Sequence, residues 1–253
     1  MHPLRLRLPA YALVILAMVW PAGFVRAQTT VFNLGTDWSD VNNPNGAWRI
    51  NKAPGQIFTI NQNDYWSNGS GQHAWAEQPF AQTAHVPVWM KVQSGDTNFT
   101  GFASPGTIVM HTAETARTGT EFSSVTWTSS GDGSLAISGG VWVQKVYDRP
   151  QRWELRLNGT SLSTGDLSLG DAFTQANPFS FAAGSGGASV LNQTVHQGDV
   201  FELLLYRQSS ATPGTFVGMD LAVSFTAVPE PVTSGLFAFG LAAIMIARRR
   251  RVR

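Results

Sequence analysis

Between residues 28 and 227 no segment sustains the 3.6-residue apolar spacing of an amphipathic helix. Short runs of β-branched and aromatic residues recur instead, divided by clusters of Gly, Asn, Ser, Asp and Pro. Such a chain lays no apolar stripe along a helix, but it can bury alternate side chains of many short strands. Twelve strands are expected, at 31–34, 47–50, 56–60, 86–92, 107–111, 122–128, 134–138, 141–147, 152–157, 189–195, 200–207 and 216–227. The clearest is 152–157, where Trp153, Leu155 and Leu157 face one way and Arg152, Glu154 and Arg156 the other. Asn158-Gly159 then signals a tight turn, and Gly184-Ser185-Gly186-Gly187 reads as a flexible loop. The pattern predicts an all-β fold, an antiparallel jelly-roll-like β-sandwich, with residues 28–227 as one domain large enough for a substantial core.

The two ends differ from this middle. Arg5 and Arg7 precede an uncharged, largely apolar run at 10–20, and Val25-Arg26-Ala27 offers small residues at a cleavage position. Charge, apolar stretch and small-residue exit in that order mark a secretory signal peptide at 1–27, with signal peptidase as partner and Gln28 as the expected first mature residue. At the other end Val228-Pro229-Glu230-Pro231 precedes an uncharged segment at 232–247, then Arg248, Arg249, Arg250, Arg251 and Arg253. The segment is short for a spanning helix, which takes roughly 20 residues. Snorkelling arginines extend its reach, so a C-terminal transmembrane helix is expected. The arginine cluster should stay on the cytoplasmic side and stop transfer. Pro229 and Pro231 disfavour helix on the outer side and leave Glu230 extended.

Motif, short apolar span and terminal arginines, in this order over 228–253, resemble the PEP-CTERM sorting signal of Gram-negative bacteria. The resemblance implies recognition at Pro229-Glu230-Pro231 by an exosortase and removal of the helix. It also implies passage from an inner-membrane intermediate to the outer membrane, cell surface or matrix, in association with exopolysaccharide. A second stretch, Asp37-Trp38-Ser39 to Asn42-Asn43-Pro44-Asn45-Gly46-Ala47-Trp48, is similar to the opening of a β-sandwich region common among such proteins.

Composition removes several chemistries. No cysteine is present, which excludes disulfides, thiolate metal sites and a Cys nucleophile. Residues 28–227 hold nine basic and fifteen acidic residues, a balance of −6, so nucleic acid is not expected as a partner. The histidines show no zinc spacing, and neither a Gly-x-Ser-x-Gly elbow nor a phosphate loop occurs. No catalytic residue is assigned, and the chain is expected not to be an enzyme. A glycan-cleaving alternative would require two close carboxylates of unequal environment.

Of eight tryptophans after the leader, Trp127, Trp142 and Trp153 lie in expected strands and read as core. Trp66 and Trp75 sit in a Gly/Ser/Asn-rich stretch and are the expected glycan contacts of a carbohydrate-binding alternative. Asp37 and Asp40, among Asn42, Asn43 and Asn45, could hold a structural calcium ion. The spacing fits no EF-hand, however, and such residues more commonly make turns. No other cofactor is expected.

Overall fold

The computed structural model describes residues 27–65, 71–76, 87–96, 103–112, 122–143, 149–168, 170–208 and 214–229. Gln28–Val228 forms one compact unit. Its first strands are β1 (Thr29–Asn33), β2 (Trp48–Ala53), β3 (Gln56–Ile57), β4 (Asn61–Gln62) and β5 (Ala74–Trp75). Next come β6 (Val88–Lys91), β7 (Ile108–His111), β8 (Ser123–Thr128), β9 (Gly133–Val143) and β10 (Gln151–Leu157). The last are β11 (Thr160–Leu167), β12 (Phe179–Ser180), β13 (Asn192–Val195), β14 (Val200–Arg207) and β15 (Phe216–Ala227). Among the described residues they build two antiparallel sheets. One runs β12-β9-β15-β7-β6-β5-β4, with β1 also on β15 and β13 also on β9; the other runs β11-β10-β14-β8-β2-β3.

Period-two alternation decides which residues meet between the sheets. Val217, Met219, Leu221, Val223 and Phe225 of β15 point inward with Leu135, Ile137 and Val141 of β9. Phe201, Leu203 and Leu205 of β14 join them from the second sheet, with Trp153, Leu155, Val125, Trp127, Trp48 and Ile50. The two inner faces form a single apolar cluster, the arrangement of a β-sandwich. Trp127 packs edge-on against Phe32 of the facing sheet at 5.6 Å, and Trp89 Nε1 donates to Ser123 Oγ across the gap at 2.6 Å. Each such apolar side chain contributes about 1.5–3 kcal/mol by leaving water, which lets the unit stand without disulfides.

Several expectations needed adjustment. The strands expected at 134–138 and 141–147 join as far as Val143 in one strand, β9, paired without register break to β15, and 144–147 lie outside the described residues. The intervening Gly139 adopts φ +120° beneath the Asp220 carbonyl, where any Cβ would collide. After the expected Asn158-Gly159 turn, with both residues at positive φ, the chain continues into β11, a strand without apolar alternation that was not expected. Strand 189–195 shortens to β13 because residues 188–191 form a 3₁₀ turn. The expected signal peptide and C-terminal transmembrane helix lie outside the described residues. Among the described residues no helix is long and apolar enough to cross a membrane.

Candidate functional site

One edge of β15 carries two strands end to end. β7 pairs with its residues Phe216 to Met219 and β1 with Ala222 to Thr226. Asp220 and Leu221 fall between them, and a notch opens there of about 490 Å³, within the roughly 300–1,000 Å³ of small-ligand sites.

Local turns hold the notch open. β1 stops at Asn33, where Asp37 N–H donates to the Asn33 carbonyl at 2.8 Å. The Asp37 carboxylate accepts the Asn33 N–H at 3.0 Å, and Asn33 Oδ1 accepts the Thr36 N–H at 3.1 Å. β7 starts late because Pro105-Gly106 turn first: Gly106 has φ +93° and donates its N–H to the Val92 carbonyl at 2.7 Å. The third wall is the segment before β12, where Gln175 Nε2 donates to Thr107 Oγ1 at 2.9 Å. Lys91, ending β6, reaches across to donate to the Gly35 carbonyl at 2.7 Å.

The lining is chemically mixed. Asp220 lies opposite Gly140 on the outer face of the sheet and is exposed. Among the described residues its carboxylate has no hydrogen-bond or ionic partner. Lys91 supplies an ammonium, Gln175 an amide, and Pro105, Pro178 and the 4% exposed Trp142 supply apolar surface. Trp142 was expected as core and is buried. None of Asp220, Lys91 and Gln175 was singled out in the sequence, because a lone charge on a strand and an amide in a turn look like solvated surface.

The sequence-expected residues do not converge on the notch. Trp75, expected as a glycan contact, is 3% exposed, faces the core opposite Trp89 and donates its Nε1–H to the Ser39 carbonyl at 2.9 Å. Burial of the indole in the sandwich removes it from any contact surface; Trp66 lies outside the described residues. The expected calcium ligands Asp37 and Asp40 are engaged in hydrogen bonds. Asp37 Oδ2 accepts N–H bonds from Asn33 and, at 3.2 Å, from Trp48 Nε1, while Asp40 accepts from Trp38 Nε1 at 2.8 Å and Gln93 Nε2 at 3.2 Å. These carboxylates act as turn and strand fasteners. In the tail, Val228 and Pro229 are exposed just beyond β15, whereas Glu230, Pro231, Arg248, Arg249, Arg250, Arg251 and Arg253 lie outside the described residues.

Paired carboxylates do occur on the outer face of the second sheet. Glu154 of β10 and Glu202 of β14 share that face, since Arg156 is opposite Glu202. Both are engaged: Glu154 with Arg156 at 2.8 Å, Glu202 with Ser124 Oγ at 2.6 Å. Burial pushes the Glu154 carboxyl up, but hydrogen bonds from Arg156 and Ser161 and the Arg156 charge outweigh it and hold the group below its ordinary range. That is the opposite of what a general acid needs.

No family model matches the sequence, and no curated protein matches it. Among solved structures, a native family 35 carbohydrate binding module from Clostridium thermocellum is 12% identical, over 54% of this chain and 86% of that one, with a TM-score of 0.28. The Stig cyclase Fisc from Fischerella sp. TAU, in complex with (3Z)-3-(1-methyl-2-pyrrolidinylidene)-3H-indole, is 12% identical over 80% of this chain and all of that one, with a TM-score of 0.38. Both scores lie below one half, so nothing about this chain's ligand or chemistry follows from either.

Proposed function

We propose that the chain is a non-enzymatic exported surface or matrix protein, sorted through a PEP-CTERM-type tail, whose jelly-roll-like domain acts in the exopolysaccharide layer. The observation that supports this reading is where the compact unit begins and ends. Thr29 pairs with Thr226, and Ala227 N–H donates to the Gln28 carbonyl at 3.1 Å. The unit spans Gln28–Val228, so it begins at the expected first mature residue and ends at the first residue of the expected sorting motif. β1 and β15 are neighbours, and both ends therefore leave the fold at one place. A domain so built can fold while leader and tail are both held at a membrane, then be freed by cleavage on each side without losing a strand. Signal peptidase and an exosortase are the partners this route needs.

The test is intact-mass measurement of the released protein from its native host, with and without the arginine cluster. The reading expects a chain starting at Gln28 and ending near Pro231, and expects truncation after residue 247 to impair that processing. A released form keeping Arg253 would overturn it.

A further inference from the structure

We infer that the notch between β1 and β7 is a binding site for a neutral saccharide, with Asp220, Lys91 and Gln175 as its polar contacts. The inference goes beyond the sorting route, since it concerns what the domain holds after delivery, and it stands or falls separately from the tail.

The argument starts from the hydrogen-bonding capacity of the lining. Asp220 can only accept, Lys91 can only donate, and Gln175 does both. A ligand satisfying all three must present both donors and acceptors, as sugar hydroxyls do. The Asp220 carboxylate is solvent-facing and unpartnered among the described residues, so it is free to take two hydroxyl donors in charge-assisted bonds. Lys91 spends one donor on the Gly35 carbonyl, which fixes its ammonium at the notch with two further hydrogens. Gln175 is likewise tethered, through Thr107. These tethers lower the ordering cost of binding.

Charge then narrows the class. One carboxylate and one ammonium line the same notch, so the site carries no net charge. The surrounding domain, fifteen acids against nine bases, repels polyanions. Pro105 and Pro178 give the notch apolar surface suited to the C–H face of a pyranose. Trp142 is too buried for its ring face to act as a stacking platform; it shapes the wall.

Affinity electrophoresis of the full chain in detergent, through gels containing soluble β-glucan, dextran or galactomannan, tests this directly, with alginate and polygalacturonate as anionic matrices. Retardation is expected in at least one neutral matrix and in neither anionic one. Asp220→Asn should weaken it about tenfold or more, the size of a lost charged hydrogen bond, and Gln175→Ala about threefold or more, the size of a lost neutral one. Arg152→Ala, on the outer face of the other sheet, should leave it unchanged. Circular dichroism of each variant separates lost binding from lost folding. Gln175→Ala gives a second reading should Asp220→Asn misfold. No retardation in any neutral matrix, retardation only in the anionic ones, or full binding by folded Asp220→Asn would overturn the assignment.

Discussion

Gly165 of β11 is the direct cross-strand partner of Trp153 of β10, and the indole occupies the space where a Cβ on that glycine would stand. A Cβ on Gly184 would likewise collide with the same ring, at Cη2 and Cζ2. Phe179 and Phe181 approach it edge-on at 5.4 and 5.3 Å, so Trp153 is enclosed by two glycines and two phenylalanines. Gly165→Ala and Gly184→Ala are each expected to destabilise by about 1–3 kcal/mol, the usual cost of overpacking. Urea unfolding followed by Trp fluorescence measures the loss.

Trp75 offers a sharper contrast between packing and binding. A surface contact residue would tolerate truncation, but this one is buried and bonded to Ser39. Trp75→Ala should cost about 3–5 kcal/mol, and Trp75→Phe a smaller amount dominated by the carbonyl left unpaired. Thermal denaturation of the two variants gives the ranking.

Asp37 fastens the end of β1 to Trp48. Asp37→Ala removes the acceptor of the Asn33 and Trp48 N–H groups, and should cost about 1–3 kcal/mol through the stranded donors. Because those oxygens already serve N–H donors, the melting temperature of the wild-type chain should be the same in millimolar calcium and in EDTA. A calcium-dependent rise would support the metal reading.

Acid should weaken the outer face of the second sheet. The Arg152 hydrogen bond, opposed by burial and aided by the Arg152 charge, holds the Asp166 carboxyl below its ordinary value of 3.8; Glu154 is held below 4.5. Groups with depressed folded values stabilise above the unfolded value and lose that contribution as pH falls through the folded one. Urea midpoints should therefore be flat down to about pH 4.5 on account of these groups and decline below it. Asp166→Asn should flatten part of the decline. The Arg152–Asp166 pair, with side chains 43% and 50% exposed, is screened by water, so added salt should shrink the effect.

Asn158 combines a turn conformation with two long-range bonds. Its φ is +51°, its Oδ1 accepts the Val200 N–H at 2.8 Å and its Nδ2 donates to Asp199 at 2.9 Å. Asn158→Ala should cost about 1–2 kcal/mol, from left-handed strain and the lost acceptor. Asn158→Gly should recover only the conformational part, and equilibrium unfolding of both distinguishes the two terms.

Legibility in the sequence followed the apolar residues. β10, β14 and β15 were readable because alternate Trp, Leu, Val and Phe declare one buried face. β11 was not, because its pairing uses backbone groups and its key inward residue is a glycine whose task is to leave room for Trp153. Trp75 misled because its neighbours are polar and glycine-rich, while its own partners, Trp89 and Ser39, are distant in the chain.

The candidate notch was not readable at all. It arises where β1 and β7, more than seventy residues apart, lie end to end along β15 and leave Asp220 without a strand partner on that edge. By itself the sequence determined the class of fold and the compositional break at each end, since local periodicity and charge order are written in neighbouring residues. Only the tertiary structure decided which strands pair, which aromatics are enclosed and where an acid remains unpartnered among the described residues, because those depend on which distant segments exclude water together.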